Sequence, residues 1–115
     1  MWELDLDNYY FAGVVTPNER KYGPYCNAGV LMLNLDKLRD GTADRIIDLL
    51  NQKKMVWVDE EAYNEVCKHK MLGIGNEYNC CIFSRPSEHP KIIHYAGMKK
   101  WDMYPDYLVY DRKAK

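Results

Sequence analysis

The chain has 115 residues, 47% of them hydrophobic, which is enough for one compact domain with a core and too little for two. Sixteen basic against seventeen acidic residues leave a net charge of -1, so general nucleic-acid binding through a broad basic field is excluded. No apolar run approaches the ~18 residues of a membrane span, and the opening Met1-Trp2-Glu3-Leu4-Asp5 lacks the basic start and apolar stretch of a secretion signal.

Residues 9–15 are aromatic and β-branched and run into Thr16-Pro17-Asn18, which predicts a strand followed by a loop over residues 17–25. Residues 28–33 are apolar without alternation, the pattern of a strand covered on both faces. Thr42 or Gly41 is placed to cap a helix on which Ala43, Ile46, Ile47 and Leu50 recur at i, i+3, i+4 and i+7. Residues 55–58 read as a short strand or extended connector. Asp59-Glu60-Glu61 then opens a second helix with Ala62, Tyr63, Val66 and Cys67 on one side and Lys68, His69 and Lys70 at its far end. Residues 71–74 read as a strand closed by Gly75, residues 76–90 as irregular, residues 91–95 as a last short strand and residues 97–100 as a turn. The tail over residues 106–115 reads as frayed. Strands mixed with helices make the class α/β. Two good helices are few for strands covered on both faces, so the chain reads as part of a larger unit.

Cys26, Cys67, Cys80 and Cys81 include no pair with zinc-knuckle spacing, and the expectation is reduced, half-buried thiols. A small metal protein built from His69, His89, His94 and the cysteines would have no recognised spacing. Ten tyrosines and three tryptophans suit sugar-binding surfaces and ordinary interfaces alike.

Three stretches carry a family resemblance when taken in register. They are Tyr25-Cys26-Asn27-Ala28-Gly29-Val30-Leu31-Met32-Leu33-Asn34-Leu35, then Asp59-Glu60-Glu61-Ala62-Tyr63-Asn64, then Ile92-Ile93-His94-Tyr95-Ala96-Gly97-Met98-Lys99-Lys100-Trp101. Together they resemble glycosyltransferase family 8, whose members are retaining, nucleotide-sugar-dependent enzymes of the GT-A fold. The resemblance implies that Asn27 and Ala28 line the nucleotide-sugar pocket, that Asp59 binds donor-sugar hydroxyls, and that Glu60 lies under the anomeric carbon. It further implies that His94 ligates a divalent metal, commonly Mn2+, and that Gly97 and Lys100 contact the diphosphate. Local chemistry offers each a plainer role: Asn27 fixing its own turn, Asp59 and Glu60 starting a helix, His94 satisfied within the fold. Glu60 stands where the family has Gln, no Pro follows Lys100, and Trp101 comes one residue early. Asp5-Leu6-Asp7 matches the family's Asp-x-Asp metal motif in letters but is not preceded by a buried apolar strand.

The resemblance implies the acceptor-side half of a GT-A glycosyltransferase over residues 1–115. It would move a hexose from a UDP-sugar to a glycan or lipid-linked acceptor, as in lipopolysaccharide biosynthesis. The implied setting is cytoplasmic, with membrane contact at most peripheral at the inner face. The partner expected is a missing N-terminal half or a second copy in a homodimer, and without that half activity is expected to be weak. The alternative is a non-catalytic remnant serving as a carbohydrate-binding or assembly module.

Overall fold

A three-stranded mixed sheet carries the fold in the computed structural model, which describes residues 3–16, 24–52, 58–81 and 87–95. The strands are β1 (Phe11–Val15), β2 (Cys26–Leu33) and β3 (Met71–Gly73), in the order β2-β1-β3. β1 is antiparallel to β2 and parallel to β3. It is therefore the strand with a neighbour on each side, and Phe11 and Ala12 are wholly buried. The expectation of a doubly covered strand at residues 28–33 is corrected here. β2 is only half-buried along most of its length, so its faces are not both covered, and among the described residues it stands at the edge of the sheet. An apolar run reports a tendency to be buried but does not report the number of neighbours.

Among the described residues three helices pack against this sheet, α1 (Leu35–Leu38), α2 (Thr42–Gln52) and α3 (Val58–Val66), so the class is α/β as expected. The short α1 was not expected. Asn34 caps it, accepting the Lys37 N–H at 3.1 Å, while its amide donates to the carbonyls of Leu6 at 2.8 Å and Tyr9 at 3.2 Å. One side chain thus starts a helix and ties the N-terminal segment to the end of β2. The start of α2 is held by Asp40, whose carboxylate accepts the Thr42 N–H at 3.0 Å and the Tyr10 hydroxyl at 2.7 Å. Ile46 is buried, with Ala43, Leu49 and Leu50 beside it. Ile47, expected on the inner face, is 54% exposed, and Leu49 takes its place against the core.

Ala62 on α3 and Cys67 just past its end close the core, and Tyr63 meets Phe11 edge to face with ring centroids 5.9 Å apart. The core is Phe11, Cys26, Leu38, Ile46, Ala62 and Cys67. The helix stops at Val66, so Lys68, His69 and Lys70 lie beyond it. His69 takes a left-handed φ of 65° that turns the chain into β3.

All four cysteines are free and buried, more deeply than the half-burial expected. Residues 76–78 form a short 3-10 turn within the stretch expected to be irregular. Residues 91–95 form no strand; Ile93 makes a single parallel bridge with Cys80. Among the described residues no helix is long and apolar enough to cross a membrane. The expected connector over residues 55–58 lies mostly outside the described residues, and the turn at 97–100 and the tail at 106–115 lie wholly outside them.

Candidate active site

The candidate residues gather at an irregularity in the sheet. The β1–β2 ladder pairs Gly13 with Leu31 and then Val15 with Cys26. Val14 on β1 therefore faces residues 27–30 of β2, which bulge out of the ladder. A bulge frees backbone N–H groups from strand pairing and turns side chains to new directions. Here the freed groups meet side chains from two other parts of the chain.

The first part is α3. Glu60 and Asn64 are one turn apart and share a face. The Glu60 carboxylate accepts the Ala28 N–H at 2.8 Å through one oxygen and the Tyr25 hydroxyl at 2.9 Å through the other. The Asn64 amide accepts the Cys26 N–H at 2.8 Å and donates to the Cys26 carbonyl at 2.8 Å, and it also donates to the Glu60 carbonyl at 2.8 Å. Asn64 is 1% exposed, so it satisfies the buried Cys26 N–H and carbonyl that the pairing with Val15 leaves unmade. The Cys26 thiol is pushed up to about 12, first by burial and then by the nearby Glu60 charge.

The second part is the segment joined by the Cys80–Ile93 bridge. The Cys80 N–H donates to the Ile92 carbonyl and the His94 N–H to the Cys80 carbonyl, each at 2.9 Å. These bonds bring Asn79 and His94 to the bulge. Asn27 Oδ1 accepts the Gly29 N–H at 3.0 Å and the Asn79 amide at 2.9 Å, while Asn79 Oδ1 lies 3.0 Å from His94 Nδ1. The imidazole rests on Gly29 so closely that a Cβ there would overlap it.

Glu60 thus bonds the Ala28 backbone, Asn27 precedes Ala28 on the same bulge, and His94 is linked to Asn27 through Asn79. Asp59 is exposed in the first turn of α3, and Gly97 and Lys100 lie outside the described residues. Asn27 does fix its own turn, as its local sequence allows, and also bonds across to Asn79. Asp5 and Asp7 are exposed, and Asp5 Oδ1 accepts the Asp7 N–H at 2.9 Å. That turn sits beside Asn34, at the opposite end of β2 from the bulge. Sequence reasoning passed over Tyr25, Asn64 and Asn79. A signal existed for Asn64, four residues after Glu60 on a helix; Asn79 had none, because its partners are remote in sequence.

The sequence profile of glycosyl transferase family 8 matches residues 1–104. The chain is also 30% identical over 126 aligned residues to a Haemophilus influenzae protein named "Putative glycosyltransferase". That match covers 88% of this chain and 38% of the relative, so the chain spans well under half the relative's length. No solved structure matches significantly. The chain belongs to glycosyltransferase family 8, and its small α/β architecture is consistent with part of a GT-A-like domain.

Family 8 enzymes generally use a divalent metal. Among the described residues no three His, Cys, Asp or Glu side chains stand close enough together to hold an ion, which also removes the arrangement of His69, His89, His94 and the cysteines as a metal centre. A neutral imidazole that donates through Nδ1 carries its lone pair on Nε2, the form in which histidine ligates a metal, and His94 Nδ1 lies 3.0 Å from the Asn79 oxygen. Among the described residues, no cluster around it supplies the remaining ligands.

Proposed function

We propose that the chain is the acceptor-side half of a retaining hexosyltransferase that uses a UDP-sugar and serves a glycan or lipid-linked acceptor. The observation that carries this reading is the convergence of Asn27, Ala28, Glu60 and His94 on one bulge of β2. They come from three separate stretches of sequence, the same three that carry the family pattern. Asn27 has an amide suited to sugar or ribose hydroxyls. Asp59, exposed beside Glu60, supplies acceptors for the donor-sugar hydroxyls. Glu60 sets negative charge near the anomeric carbon, where transfer through an oxocarbenium-like state develops positive charge. A divalent cation, most naturally Mn2+, neutralises the diphosphate leaving group when bound. His94 is one of its ligands, the others coming from the N-terminal half, and Gly97 and Lys100 complete the diphosphate contacts. The enzyme works in the cytoplasm, with at most peripheral contact at the inner membrane face.

A second reading has its own observation. Both Glu60 oxygens already hold donors within the fold, Tyr25 and Ala28, which suits a structural clamp as well as a reacting group. On that reading the chain is a non-catalytic carbohydrate-binding or assembly module. The two separate in one assay. UDP release from UDP-hexoses with Mn2+ is measured with and without a supplied family 8 N-terminal half. Release only with both parts is the expected result; no release in either case, with sugar binding retained, leaves the binding module.

A further inference from the structure

The hydrogen bonds around Asn79 decide which nitrogen of His94 carries its proton. The Gly29 N–H can only donate, so the Asn27 atom facing it at 3.0 Å is the carbonyl oxygen. That oxygen can only accept, so the Asn79 atom 2.9 Å away is the amide nitrogen. The Asn79 oxygen is then the atom facing His94 Nδ1 at 3.0 Å, and it too can only accept. Nδ1 must donate. The whole orientation is thus inherited from one backbone N–H in the β2 bulge. Asn79 is 0% exposed, so water cannot replace either of its bonds, and a flipped amide would set its oxygen against the Asn27 oxygen, acceptor against acceptor. The imidazole cannot retreat toward β2 because it already rests on Gly29.

We propose that Asn79 is a positioning residue that holds neutral His94 as the Nδ1–H tautomer, putting the ring's donor pair on Nε2. The use of that pair toward the donor's cation rests on the function proposed above; the placement of the proton does not. A buried amide with one oxygen and one NH2 group suits this task because it must accept from His94 and donate to Asn27 at once. Leu, of similar size, does neither, and Asp can only accept.

The test is long-range proton–nitrogen NMR of the histidine rings in the 15N-labelled 115-residue chain. It is run at about pH 8, above the ordinary histidine pKa near 6.5. His69 and His89 are exposed and serve as internal references. His94 is expected to show a protonated Nδ1 and an unprotonated Nε2, against the Nε2–H form that predominates at the references. Asn79→Leu is expected to return His94 to the reference pattern. Asn79→Asp, which keeps an acceptor for Nδ1, is expected to preserve the native pattern. A wild-type His94 protonated on Nε2 overturns the proposal whether or not the variants fold. So does a folded Asn79→Leu chain with an unchanged His94 pattern. With a family 8 N-terminal half supplied for the remaining ligands, added Mn2+ is expected to broaden the His94 ring signals ahead of those of His69 and His89. An Nδ1–H pattern that Mn2+ leaves unchanged in that complex upholds the placement of the proton and overturns the metal role proposed for His94.

Discussion

Glu60 shows how one side chain serves packing while standing where chemistry is proposed. Its carboxylate joins α3 to the β2 bulge through the Ala28 N–H and the Tyr25 hydroxyl. A glutamine can keep both bonds, accepting from Ala28 through oxygen and donating to Tyr25 through nitrogen. Glu60→Gln is therefore expected to change unfolding stability by less than about 1 kcal/mol. Glu60→Ala, which removes the acceptor of a part-buried N–H, is expected to cost about 1–3 kcal/mol. Urea denaturation of both variants checks this. If Gln costs as much as Ala, the negative charge itself is required at the bulge. The Glu60→Gln change also removes the second cause of the raised Cys26 pKa, so that thiol is expected to titrate lower.

Elements in this molecule are joined end to end by short polar side chains. Asn34 links the end of β2 to α1, Asp40 links α1 to α2 and back to Tyr10, and Asn64 links α3 to β2. Asp40 makes a prediction at this scale. The Thr42 hydroxyl, then the Tyr10 hydroxyl, hold its carboxylate below the usual range. Its folded pKa is thus depressed, so the stability it contributes is present above the unfolded value of 3.8 and lost as pH falls through the lower folded value. Asp40→Ala is expected to lower stability at neutral pH and to flatten its fall in acid. Thermal unfolding from neutral pH into the acid range measures this; an unchanged slope would falsify the cap.

Cysteine burial extends through the whole molecule, because Cys26 sits on the sheet and Cys67 just past α3, yet both belong to one core. Burial raises the Cys26 thiol from 9.0 to about 12 and the Cys67 thiol to about 11. Both folded values lie above the unfolded one. The associated stability is complete below pH 9.0 and is lost as pH rises toward 11 and 12. The chain is expected to lose denaturation midpoint in this window. Alkylation of the two thiols at neutral pH is expected to follow global unfolding, not native-state exposure. Native-state modification as fast as that of a free thiol would contradict a core built on these residues.

Local patterns made much of this protein readable. The α3 acidic start and inner face, the turn at Asn27, the α/β class and the register of three family stretches all follow from neighbours in sequence. The inner face of α2 was read one position wrongly at Ile47, because periodicity locates a face only to within a residue. What could not be read is the bulge, the central place of β1 and the link from Asn27 through Asn79 to His94. These depend on which strands pair and with what offset. Pairing offset is set by contacts between residues far apart along the chain, which only the folded sheet brings within hydrogen-bonding distance.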